Sequence, residues 1–167
     1  MNRVYRLKML CAGVFAVGLF AMVAMTAVAQ AADVRILQVE VALSNAGPVV
    51  LLKAENKVIP VFVDVTVAES IRAALTGGTL RRPFPHNLMQ SVLTAYDGRI
   101  TQVSITLKEA TYYAALTVQM RDVTRVFDSR ASDAIALATL FKAPIMVSRE
   151  LLDTQGKVID TPGLQAL

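Results

Sequence analysis

"FDSRASDAIALATLFKAPIMVSRELLD", residues 127–153, decides the fold class. Its first residues close a short strand, Arg125 to Asp128. Ser132 is placed to cap a helix from Asp133 to Phe141, and that helix is almost wholly Ala, Ile and Leu. A helix with so few polar positions has no face suited to water, so it is expected to be buried on most sides. Pro144 to Val147 reads as a strand, and Ser148 opens a short helical turn. A buried helix set between strands calls for a sheet to lie on.

The residues upstream supply one. Ile100–Leu107 and Thr111–Met120 alternate apolar with polar positions across the Lys108-Glu109-Ala110 turn. Val49–Lys53 and Lys57–Asp64 are β-branched runs joined at Glu55-Asn56, which predicts a hairpin. Val34–Leu43 reads as one strand with Leu37, Val39, Val41 and Leu43 inward, followed by a turn at Asn45–Pro48. Thr66-Val67-Ala68-Glu69 has the spacing of a capping box, with a helix running through Leu75 to Gly77-Gly78. A second helix is expected from about Pro85-His86 to Asp97-Gly98, with Leu88, Val92, Leu93 and Tyr96 on one face. The expected class is α+β: a mixed, largely antiparallel sheet packed with three short helices. One domain spans 33–153, and a tail over 154–167 is expected to be loose.

The first 31 residues stand apart. Arg3, Arg6 and Lys8 precede an uncharged apolar run from Met9 to Ala29, and Ala27-Val28-Ala29 fits an A-x-A cleavage pattern. This describes a signal peptide, and an uncleaved membrane anchor is the alternative. Either reading places the domain outside the cytoplasm, periplasmic or secreted, or held at the inner membrane. Three of the 17 basic and none of the 13 acidic residues lie in this leader, so 14 basic face 13 acidic in the rest. Three of the four formal net positive charges therefore belong to the leader, and the +1 of the rest gives no sign of a nucleic-acid-binding face. The single cysteine, Cys11, lies there too, which leaves the domain without a disulfide or a thiolate metal site.

No phosphate-binding glycine loop, nucleophile elbow or H-E-x-x-H motif is present. Two polar clusters remain. In the first, Arg81 and Arg82 precede His86, the only histidine, at a helix start. Guanidiniums hold phosphate oxygens bidentately, and a helix start offers free N–H groups to an anion. The plain alternative is solvated arginines and a backbone-bonded histidine. The second cluster is Asp128-Ser129-Arg130-Ala131-Ser132-Asp133, at a strand-to-helix junction. Its paired carboxylates suit a hard cation such as Mg²⁺, which activates water against a phosphodiester. Capping alone accounts for Ser132 and Asp133, and less readily for Asp128 and Arg130. Glu69 is explained by its capping box unless it turns toward these clusters. Of the neighbouring pair Tyr112 and Tyr113, one ring is expected in the core and the other exposed.

These two clusters carry a resemblance. Asp128, Arg130, Ser132, Asp133 and the following Ala134-Ile135-Ala136-Leu137-Ala138, then Ala143-Pro144-Ile145, are similar to the D-[AS]-R-P-S-D-A-I-A-L-A and A-P-I pattern of the bifunctional nuclease family. Arg82-Pro83-Phe84-Pro85-His86-Asn87-Leu88 resembles its R-P-x-T-H-[DN]-L signature. Pro85 stands where a Thr is usual, Ala131 replaces a Pro, and Asp64 is near a common Gly. The export leader is also unlike the family's typical cytosolic members. The resemblance implies an α+β fold, cleavage of DNA and RNA, and a homodimer. On that basis the clusters would meet in one cleft. Arg82, Arg130 and Ser132 would hold phosphate. Asp128 and Asp133, with Glu69, would carry a divalent cation, Mg²⁺, and His86 would be the general acid or base. The competing reading is a non-catalytic exported domain that binds or assembles as a dimer, which the near-neutral domain charge favours. A shared site requires His86 within about 10 Å of the Asp128 or Asp133 oxygens.

Overall fold

The computed structural model describes residues 33–78, 80–158 and 165–166. The leader lies outside the described residues. Among the described residues there are four helices and ten strands, the strands forming two five-stranded sheets. The class is α+β, as expected, with four helices where three were expected.

The first sheet contains β1 (Val34–Arg35), β5 (Gly98–Lys108), β6 (Thr111–Met120), β7 (Val123–Arg130) and β8 (Ile145–Val147), in the order β1-β8-β5-β6-β7. All its neighbours are antiparallel except β5 and β8. The second contains β2 (Gln38–Ser44), β3 (Gly47–Ala54), β4 (Lys57–Phe62), β9 (Lys157–Val158) and β10 (Gln165–Ala166), antiparallel throughout, in the order β10-β2-β3-β4-β9. The helices are α1 (Val65–Thr76), α2 (Pro85–Ala95), α3 (Ala131–Phe141) and α4 (Arg149–Gln155).

α3 lies at the centre, against α1, α2 and both sheets. Its residues Ala134 to Ala138 are all buried, as an apolar helix requires. Ile59 and Leu52 of the second sheet and Val103 and Ile105 of the first close the same core from either side.

Several local expectations give way to tertiary demands. The segment 34–43 is not one strand. It breaks at Ile36-Leu37, where the Ile36 N–H bonds to Ile145 O and the Leu37 N–H to Lys53 O, so the chain leaves one sheet for the other. The inward alternation fails with it: Leu37 is 75% exposed and Leu43 is exposed too, while Val41 is buried. α1 is capped by Asp64, whose Oδ1 accepts from Val67 N at 3.0 Å, and not by a Thr66–Glu69 box. α3 is not capped by Ser132. The β6–β7 ladder runs to Tyr113↔Arg130 and the helix starts at Ala131, so Arg130 occupies the cap position without a side-chain bond. Ser148 does cap its helix, accepting from Leu151 N at 3.2 Å. Over the described part of the tail, β9 pairs with β4 and β10 with β2.

Candidate functional site

Two chain segments build the site. Phe84 precedes α2 in extended conformation, and Pro85 at the first helical position pre-sets the turn that follows. This places His86 in the first turn of α2, on the side that packs toward α3. On α3, the abrupt strand-to-helix transition puts Asp133 one turn beyond Arg130, so that the two side chains meet.

The meeting of α2 and α3 joins the two clusters. His86 Nε2 lies 3.0 Å from Asp133 Oδ1. Arg130 grips the same carboxylate with its fork: Nε donates to Oδ2 at 2.6 Å and Nη2 to Oδ1 at 2.8 Å. The Arg130 guanidinium holds the Asp133 carboxyl below the ordinary carboxylate range, burial opposes it, and the His86 bond adds to the lowering. Arg130 is pushed up in return, chiefly by Asp133. Since the carboxylate can only accept, Nε2 carries the proton and Nδ1 keeps a lone pair in the neutral ring. His86 is 8% exposed, and its Nδ1 is buried without a hydrogen-bond partner.

This triad borders an open cavity of about 910 Å³ between α2 and the β6–β7 hairpin. Asp64, Thr66 and Asp128 reach the same cavity, whose walls include Met89, Val92, Leu116 and Phe127. The structure thus brings together His86, Asp128, Arg130 and Asp133. It does not bring the rest. Glu69 lies on the exposed side of α1 in an ion pair with Arg72, which lowers its pKa. Arg82 is exposed and does not line the cavity, and Ser132 is half-buried and likewise outside it. Asp64 and Thr66 are the residues that sequence reasoning did not place here. The only signal was Asp64 itself, standing near a position where glycine is common.

The donor set is poorly matched to a cation. Both Asp133 oxygens are engaged by Arg130 and His86, and Asp64 Oδ1 is bound to the α1 backbone. Among the described residues, no group of three or more His, Cys, Asp or Glu side chains is placed to hold a metal ion.

Residues 49–160 match the family model of the bifunctional nuclease domain, a span that takes in both clusters. The chain belongs to the bifunctional nuclease domain family. The similar curated proteins include two uncharacterized proteins of Mycobacterium tuberculosis, MT1877 and Rv1829, from different strains. Each is 28% identical over 130 residues, covering 76% of this chain and 77% of the relative. β1, β2 and the first two residues of β3 precede the matched span, while α1, α2, α3 and the cavity beside them lie wholly inside it.

Proposed function

We propose that the cavity between α2 and the β6–β7 hairpin is a nuclease site that binds DNA or RNA and hydrolyses its phosphodiester bonds. The observation that carries this reading is the 3.0 Å contact between His86 and Asp133, which joins the two family signatures at one cavity wall. The Arg130 side chain is 69% exposed and reaches the cavity from the rim, so it can exchange Asp133 for a phosphate oxygen at small cost. That exchange frees one face of Asp133. His86 Nε2–H then has room to trade its carboxylate contact for the substrate, and it accepts a proton there as general base once the ring proton moves to Nδ1. Asp128, exposed at the cavity edge, is the remaining carboxylate near the phosphate. Mg²⁺, if the reaction uses it, would supply an activated water. The leader supports export, with the domain acting in the periplasm or beyond, or tethered at the inner membrane.

A second reading has its own support. The cavity carries three carboxylates, Asp64, Asp128 and Asp133, against the single arginine Arg130. A polyanion meets that charge balance unfavourably, which favours a non-catalytic binding or assembly module.

Protein expressed from the full-length chain, incubated with single-stranded DNA and RNA in Mg²⁺ or in chelator, separates the two. Cleavage lost in His86→Ala, Asp133→Asn and Arg130→Ala supports the nuclease site. Equal residual cleavage in wild type and all three variants overturns it.

A further inference from the structure

The cavity beside His86 is one end of a longer cleft. A second cavity of about 580 Å³ adjoins it, bordered by Tyr96, Arg121, Asp122 and Arg125. Val118, Met120 and Phe127 line both, so the two share a wall. Register accounts for that wall. On β7, Arg125 and Phe127 lie opposite Val118 and Leu116 of β6, and directly opposed residues share a face of the sheet. Leu116 and Val118 join the core on that face. Because β7 is the outermost strand, the face is only partly covered there, and Phe127 stays 49% exposed.

Charge divides the cleft along its length. Asp64, Asp128 and Asp133 border the His86 end, together with Arg130. The far end sets two guanidiniums, Arg121 and Arg125, against Asp122. Arg121 lies 3.8 Å from Asp97, whereas Arg125 makes no ion pair among the described residues. The shared wall between the ends carries no charged side chain. A ligand that spans the cleft must therefore be apolar in its middle and anionic where it meets Arg130 and Arg125.

A nucleotide strand has that alternation when its bases are unstacked. An aromatic ring stacks on the face of any base, and a guanidinium holds phosphate oxygens. Arg125 and Arg130 are five positions apart on β7, roughly 16 Å at about 3.3 Å per residue, so they meet different phosphates of one strand. A duplex does not fit. Its bases are paired and stacked, and it offers the wall only sugar and phosphate, which an uncharged apolar surface cannot hydrogen-bond.

We propose that Phe127 is the base subsite of the cleft, that Arg125 holds the phosphate beyond it, and that the substrate is single-stranded. Tyr96, exposed at the end of α2, borders the same cavity and offers a ring to the next base. The inference rests on the phosphodiester reading for the phosphate at Arg130, and on the cleft wall for the base.

The chain contains no tryptophan, so a single one placed in the cleft reports alone. Phe127→Trp keeps an aromatic face, and the half-exposed position has room for the larger ring. In chelator, short single-stranded oligothymidylate is expected to quench its emission. An abasic strand of the same length and a hairpin duplex are expected to leave the emission unchanged. Phe127→Leu, read by anisotropy of labelled oligothymidylate, is expected to weaken binding about tenfold and to leave binding of the abasic strand unaltered. Arg125→Ala is expected to weaken binding of both strands and to flatten the dependence of affinity on salt. Should Phe127→Trp fail to fold, Phe127→Leu decides. Equal quenching by the abasic strand or the duplex overturns the inference, as does full affinity in Phe127→Leu. Emission that shifts with protein concentration alone places a second copy over the cleft and overturns it as well. Wild-type cleavage without quenching removes the base subsite and leaves the phosphodiester reading standing. Quenching without wild-type cleavage keeps the subsite and removes that reading.

Discussion

Replacing Asp133 by Asn tests the charge logic of the site. The carboxylate accepts two bonds from Arg130 and one from His86. Because the Arg130 side chain is largely exposed, its ion pair contributes no more than about 1 kcal/mol after solvent screening. The His86 bond is different, since the ring is buried. An asparagine oxygen still accepts from Nε2–H, so Asn loses charge assistance but not the bond, a loss of about 1 kcal/mol. Asp133→Asn is therefore expected to destabilise by about 1–2 kcal/mol at pH 7, and Asp133→Ala by about 2–3 kcal/mol, because it strands the buried donor. The sign with pH follows from linkage. The folded-state pKa of Asp133 is depressed, so its stabilisation is present above the unfolded value and is lost as pH falls through the lower folded value. The gap between wild type and Asp133→Asn should close as pH drops below the ordinary 3.8 of an aspartate. Urea unfolding over an acid-to-neutral series reads both effects. A variant as stable as wild type at pH 7, or a gap that stays constant into acid, refutes the reasoning.

Asp64→Ala should cost about 1 kcal/mol of stability in thermal unfolding through loss of the α1 cap, while Thr66→Ala should cost far less. Glu69→Gln should leave cleavage of DNA and RNA unchanged in a turnover assay, since its partner is Arg72 on the outer side of α1. The β5–β6 turn holds Glu109 and Ala110 at φ 48° and 62°, so Glu109→Asn with Ala110→Gly should raise the unfolding free energy measured in urea by about 0.5–1 kcal/mol. Ile135→Ala, at the fully buried centre of α3, should cost about 2–5 kcal/mol.

What the sequence determined by itself is local chemistry with one reasonable outcome. A helix from Asp133 to Phe141 that is almost wholly Ala, Ile and Leu must be buried on most sides, and α3 is buried from Ala134 to Ala138. β-Branched runs split by Glu55-Asn56 must form a hairpin, and β3 and β4 do. Gly77 and Gly78 stop α1, and Pro85 starts α2. The order of the two polar motifs was equally readable, and with it the family.

What the tertiary structure decided is every choice between near-equal local options. Asp64 and Thr66 are both competent caps, and where the chain leaves β4 favours Asp64. Ser132 is a good cap by type, but strand pairing to Arg130 carries β7 directly into α3 and leaves it no cap position. Leu37 and Leu43 alternate correctly, yet the switch between sheets at Ile36-Leu37 turns them outward. The site is the strongest case. His86 and Asp133 are 47 residues apart, and no spacing rule links them. Their 3.0 Å contact exists because α2 and α3 pack together over β5 and β6. Helix packing is set by the shape of a shared apolar core, and that shape is a property of the whole chain, not of either motif.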